Sequence, residues 1–168
     1  MARISIARNV LIASLLATGL GGTTIVQAQA AAAARVPTFT VDPAWPKVPA
    51  NMKLGDVSSV AIDAQGNAWL LHRPRTLKAP DAAMAAPPVM VFDANGNYVK
   101  GWGGDGAGYE WPQREHGIHI DYKGFVWLGG NNCPTNGLPG LKRVADDQLL
   151  KFTQDGKFVM QIGHSNQS

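Results

Sequence analysis

His116 and Arg73 are the two residues of this 168-residue chain whose types and settings most suggest chemistry. His116 precedes Gly117 in EHGIHID, Glu115 to Asp121. An imidazole carries protons near neutral pH and is a good zinc donor, and a glycine beside it lets backbone approach a ligand closely. A lone histidine serves equally well as a structural or solvent-facing residue. His119 is not expected to join it, because an offset of three along a strand points to the opposite face. Arg73 offers a planar guanidinium suited to a carboxylate or an oxyanion. It also stands with Arg75 and Lys78, as Lys142 stands with Arg143, in loop-like sequence where solvated basic side chains are ordinary.

The other reactive types are less suggestive. Cys133 is the single cysteine, so no internal disulfide can form. It reads as a free thiol at a loop tip, or as one awaiting a partner cysteine in another chain. Asp105, Glu110 and Glu115 show no paired spacing of an acid/base couple. The Gly-rich run GWGGDGAGYEWP, Gly101 to Pro112, has neither the lysine nor the strand-to-helix context of a phosphate cradle. It reads as a connection between units.

The elements that must position these residues announce themselves by repetition. VSSVAIDAQGNAWLLHR, Val57 to Arg73, and REHGIHIDYKGFVWLGGN, Arg114 to Asn131, share one pattern of apolar alternation, an Asp, a turn ending in Gly and an aromatic-centred strand. Asp63 and Asp121 are 58 positions apart (121 − 63), as are Gly66 and Gly124, and Trp69 and Trp127. VFDANGNYVKGWG, Val91 to Gly103, and KFTQDGKFVMQIG, Lys151 to Gly163, repeat at 60 (156 − 96), which places a two-residue insertion in the loop between second and third strands. The expected strands are 57–63, 67–73, 89–93 and 98–103, then 117–121, 126–131, 148–153 and 158–163. Gly66, Gly96, Gly124 and Gly156 close the hairpins, with a type I turn and a bulge, and Trp69, Trp102 and Trp127 read as packing residues. No helical period is sustained after residue 30, and 19 glycines with 11 prolines argue against one. Short strands repeating at this interval make each unit a four-stranded antiparallel meander, the form of a β-propeller blade.

Residues 1–30 are expected to leave as a secretory signal peptide. Arg3 and Arg8 precede an apolar run from Val10 to Leu20, and small residues at cleavage spacing follow. The run is too short for a membrane span, so no stable membrane anchor is expected, and the localisation is read as secreted or periplasmic. Two of the 15 basic residues leave with the signal, and 13 against 12 acids give +1. So slight an excess, without a clustered basic face, excludes nucleic acid as the expected partner. Residues 31–53 form an extended Pro-rich lead-in, an edge strand or arm laid over another surface with Trp45 as its anchor. Residues 54–168 hold the two repeats, about 54–108 and 109–164.

From Leu54 to Gly163 the chain resembles the NHL-repeat β-propellers, and among them the six-bladed peptidyl-α-hydroxyglycine α-amidating lyase domain and its bacterial relatives. VSSVAID followed by LLHR, and EHGIHID followed by VWLGGN, look like two successive site-bearing strands of that lyase. The resemblance implies an all-β fold, an NHL-type propeller fragment of two four-stranded blades out of six. Since two blades do not close a ring, it also implies further blades in a longer chain, or self-association of three copies. It makes His116 one of three zinc ligands from three blades, gives Arg73 a catalytic part in holding substrate near the metal, and has the backbone carbonyls of Val60 and Ile118 contribute to a calcium site. The family's His-Arg-Gly is here His72-Arg73-Pro74, and proline restricts the residue before it, so Arg73 is expected to be aimed differently from the family's arginine. The reading that follows is an exported scaffold binding a small molecule or peptide in the axial channel. The alternative is part of a metal-dependent peptidylamidoglycolate lyase, whose remaining ligands and base would come from other blades.

Overall fold

The computed structural model describes residues 36–135 and 137–167. The chain divides into a unit ending at Phe39 and a unit beginning at Thr40. Of the first, residues 36–39 are described, exposed and without regular structure. The expected signal segment, 1–30, and the start of the lead-in, 31–35, lie outside the described residues.

The described residues of the second unit form eight strands: β1 (Asp56–Ile62), β2 (Ala68–Arg73), β3 (Val89–Phe92), β4 (Tyr98–Trp102), β5 (Glu115–Ile120), β6 (Val126–Gly130), β7 (Leu149–Phe152) and β8 (Phe158–Ile162). They form two antiparallel four-stranded sheets in the orders β1-β2-β3-β4 and β5-β6-β7-β8. The all-β architecture expected from the repeat is therefore present. Two short 3-10 turns, Pro74–Thr76 and Asp81–Met84, interrupt the loop after β2. Among the described residues, no helix is long and apolar enough to cross a membrane.

The hairpin turns explain why the strands start where they do. In the first, Gly66 donates to the Asp63 carbonyl at 3.0 Å, while Asp63 Oδ1 accepts from the amides of Gln65 and Asn67 at 3.0 and 2.8 Å. Gly66 has φ +82°, a conformation that a side chain would strain. The same bonds recur around Asp93 and Asp121, and Thr153 takes the place of Asp in the fourth turn. Each repeat's first Asp also fixes its tryptophan. Trp69 Nε1 donates to Asp63 Oδ2 at 2.9 Å and Trp127 Nε1 to Asp121 Oδ2 at 3.0 Å.

The sheets stack face to back. One face of the first sheet presents Trp69, Leu71, Val89 and Val91, which pack against Val126, Leu128, Leu150 and Phe152 of the second. By the 58 and 60 offsets, those four residues of the second sheet are the counterparts of Ala68, Leu70, Met90 and Phe92. In the first sheet this equivalent face is covered by the lead-in, through Trp45, Val48 and Met52, and by Leu54 directly after it. Trp45 lies 6.2 Å from Phe92 between ring centroids, and a Cβ on Gly96 would meet its ring at 2.6 Å. In the second sheet Trp102, from the last strand of the first, lies 5.1 Å from Phe152, and a Cβ on Gly156 would meet it at 2.7 Å. The arm thus occupies, for the first sheet, the place that the first sheet's own β4 occupies for the second.

Among the described residues, one face of the second sheet has no sheet or arm packed over it. Trp127, Gly129, Leu149 and Lys151 are the counterparts of Trp69, Leu71, Val89 and Val91. The latter are at most 1% exposed, whereas Leu149 is 40% exposed and Ile162 beside it 51%. Burying an aliphatic side chain of this size stabilises by about 1.5–3 kcal/mol, so the second sheet forgoes what the first gains.

Candidate functional site

β1 and β5, the first strands of the two sheets, lie against one another. Their pairing is irregular at one equivalent point. Between Val57 and Ser59 the register with β2 shifts, leaving Ser58 as the extra residue, and between Glu115 and Gly117 it shifts again, leaving His116. Ser58 and His116 are 58 positions apart. A bulge redirects side chains and is over-represented beside functional sites. It explains why β5 starts at Glu115, two residues before the expected Gly117.

The bulge also corrects the expectation for His119. Once one extra residue is inserted, alternation across it is reversed, and Glu115 and Ile118 are both buried while His116 and His119 are both exposed. The two imidazoles line one open concavity of about 730 Å³ with Asp121, Trp127, Leu149 and Ile162.

Val60 and Ile118 sit at the free edges of the two sheets. The bonds from Asp63 N to Asn67 O and from Asp121 N to Phe125 O set the alternation of each hairpin. Counted from them, the backbone groups of Val60 and Ile118 turn away from β2 and β6. Accordingly, the Ile118 amide donates across the sheets to Ser59 Oγ at 3.3 Å. The Val60 side chain is 53% exposed, and that of Ile118 is in the shared core.

Arg73 ends β2 and reaches the second sheet. Pro74 opens the 3-10 turn, leaving Arg73 at φ −107° and ψ 87°, out of the helical region as proline demands. Its Nε donates to the carbonyl of Glu115 at 2.8 Å, which brings it to the residue preceding His116. Burial lowers its pKa, the neighbouring charges of Arg114 and Arg75 lower it further, and Glu115 and Asp56 offset part of this. Guanidinium remains protonated regardless. Glu115, 6% exposed, accepts from Arg75 at 2.9 Å and from Trp111 Nε1 at 3.1 Å.

Arg114, Asp146 and the buried His72 carried no sequence signal of their own. Arg114 joins Arg73, Arg75 and Lys78 around a second concavity, although it lies about forty positions away in sequence. Asp146 fixes the approaching backbone by accepting from the amides of Gln113, Arg114 and Asn132 at 2.8–2.9 Å. His72 is fully buried, with Nδ1 accepting from Gly55 N at 3.1 Å and Nε2 donating to Pro87 O at 2.8 Å. Burial holds its pKa below the ordinary value, so it is a neutral structural residue. Cys133 is exposed, and its contact with Thr135 lowers its pKa.

A catalytic zinc needs three protein donors. Among the described residues, no group of three or more His, Cys, Asp and Glu is placed to hold a metal. His116 supplies one imidazole, and Asp121 is engaged by Trp127 and by Lys151 at 3.8 Å. For calcium, two backbone carbonyls fall short of the six to eight oxygens it prefers. The described residues therefore do not make either metal site unaided. No protein-family model matches this chain, and no curated protein matches it.

Proposed function

We propose that the chain is a two-blade piece of an exported NHL-type β-propeller that binds a small molecule or a peptide in its axial channel, and that His116 is its contribution to a lyase-like metal site completed by other blades. The observation that carries this reading is the uncovered face of the second sheet. By the repeat offsets it corresponds to a face that the first sheet buries against its successor, with Trp127 in the place of Trp69 and Leu149 in that of Val89, although Gly129 and Lys151 stand where the first sheet has Leu71 and Val91. The exposed Leu149 and Ile162 favour another sheet of the same kind over it, from the parent chain or from another copy. A ring built this way puts β1 and β5 at its centre, together with the bulged residues Ser58 and His116. Loops from successive blades converge there, which is where a propeller holds its ligand.

The test is the association state of the chain lacking residues 1–30, measured by size-exclusion chromatography with light scattering. The chain is expected to self-associate, or to bind an apolar-surface dye when held monomeric, and Leu149→Lys is expected to reduce both. A folded monomer that binds no dye and is indifferent to Leu149→Lys overturns the ring. Zinc uptake that is equal and negligible in the assembled protein and in His116→Ala overturns the metal assignment alone.

A further inference from the structure

The basic residues after β2 were expected to be a solvated loop, yet they face another part of the chain. Arg73, Arg75, Lys78 and Arg114 line a concavity of about 370 Å³ whose far wall is Leu138, Pro139 and Leu141. Arg75 is neutralised by Glu115 at 2.9 Å. Among the described residues, no carboxylate lies within ion-pair distance of Arg73, Lys78 or Arg114. Among the described lining residues Asp56 is the one further acid, so three cations against one anion leave +2 (3 − 1) on the lining, while Asp146 behind it is engaged by backbone amides.

We propose that this concavity is a binding site for a small organic dianion, its headgroup gripped by the guanidinium groups of Arg73 and Arg114 with Lys78 beside them, and its apolar body against Leu138, Pro139 and Leu141. Two arginine forks suit a phosphomonoester or a dicarboxylate, because each presents paired donors to paired oxygens. The volume admits one headgroup and a small body.

The walls are held before any ligand arrives. Arg73 is steered by its bond to Glu115 O, and the backbone at Arg114 by Asp146. Thr76 Oγ1 donates to Arg73 O at 2.8 Å and accepts from Asp56 N at 2.8 Å, which ties the loop after β2 to the start of β1. Asn132 Nδ2 donates to the carbonyls of Lys142 and Val144 at 2.9 and 2.7 Å, bracing the segment that carries the apolar wall. Less ordering cost then falls on binding. The mutual repulsion of Arg73, Arg75 and Arg114 is a cost that an arriving anion would relieve. All of these residues belong to this chain, so the site needs neither a closed ring nor a metal.

The probe is phenyl phosphate, titrated calorimetrically into the chain lacking residues 1–30 near pH 7.5, where a phosphomonoester is largely dianionic with a second pKa of about 6. Saturable binding is expected, weakened by added salt and at least about tenfold weaker in Arg114→Gln, the loss of a charge-assisted fork. Among the described residues the Arg114 guanidinium has no hydrogen-bond partner, and its removal relieves repulsion with Arg73, so this variant should unfold no lower than the wild type. Lys157→Gln removes an exposed cation elsewhere and should bind as wild type does. Inorganic phosphate, lacking the apolar body, should bind more weakly. Absence of saturable binding, retention in Arg114→Gln, or equal loss in Lys157→Gln overturns the site, and equal affinity for inorganic phosphate overturns the role of the apolar wall.

Discussion

Trp45 and Trp102 hold equivalent positions. The first covers Phe92 and Gly96 and the second covers Phe152 and Gly156, although Trp45 comes from a proline-rich arm and Trp102 from a β-strand. The packing requirement at that point is therefore for an indole plane against a glycine and a phenylalanine, and different local backbones can meet it. Loss of either indole exposes the edge of a core cluster.

This pairing predicts a split among glycines of the same conformation. Gly66, Gly96 and Gly156 have φ of 82°, 79° and 78°, but no atom would meet a Cβ on Gly66 within 4 Å, while the other two would strike tryptophan. Gly66→Ala is expected to cost about 1 kcal/mol through backbone strain. Gly96→Ala and Gly156→Ala should each cost about 1–3 kcal/mol more from overpacking. Urea unfolding of the three variants measures the difference.

Asp63 should contribute more to stability than a turn residue ordinarily does. Burial alone would raise its pKa, but the bonds from Trp69, Asn67 and Gln65 outweigh it and hold the carboxyl below 3.8. Asp63→Ala leaves the Trp69 indole N–H buried without an acceptor and is expected to cost about 2 kcal/mol. Asp121, held low chiefly by Trp127, should show a smaller loss. Because both folded-state values are depressed, the contribution is complete above the unfolded pKa and disappears as pH falls through the folded one. Acid titration of tryptophan fluorescence should show the wild-type slope below pH 3.8 flattened in Asp63→Asn.

His72 predicts a second pH effect, in a higher window. Its folded pKa lies below 6.5 because burial disfavours the imidazolium, so the unfolded chain binds more protons there. Stability should be complete above that value and decline as pH falls from it toward the folded pKa. Thermal midpoints between pH 7.5 and 5.5, about one unit either side of the ordinary imidazole value, should fall in wild type and change less in His72→Gln. That variant should start from a lower midpoint, having lost the fit to Gly55 and Pro87.

Glu115 joins the sheets, and its removal should loosen them together. Glu115→Ala strands the Arg75 guanidinium and the Trp111 indole, both of which now donate to it. A loss of about 3 kcal/mol is expected for breaking one partner from a largely buried pair. Amide exchange should accelerate in β1 and β5 alike. Acceleration confined to β5 would show that the carboxylate supports only its own sheet.

Much of the strand layout was legible because each hairpin writes its own end. Asp or Thr three residues before Gly fixes the turn, and alternation on either side fixes the strands. The bulge was not legible, since Ser58 and His116 have nothing in common chemically and neither stands in a sequence that marks an insertion. Missing it put His119 on the wrong face. Trp45 could be read as an anchor, but its equivalence to Trp102 depends on geometry, because no sequence similarity joins the arm to β4. The cluster around Arg73 and Arg114 was hidden for a simpler reason. Its members come from loops that meet only after two sheets have stacked, and the long segment between β6 and β7 has no periodicity to reveal where it lies.

The arm has a consequence in time as well as in space. It precedes β1 in the chain, so wherever the chain emerges N-terminus first, from a ribosome or from an export channel, the arm is out before the first sheet can assemble. The apolar face of Ala68, Leu70, Met90 and Phe92 can then be shielded by residues synthesised earlier, and need never wait in solvent. The opposite face always depends on residues made later, first β5 to β8 for Trp69 and Val91. Emergence from the N-terminus therefore leaves a covered surface behind and an apolar one at the leading sheet, which would give vectorial folding a built-in starting point.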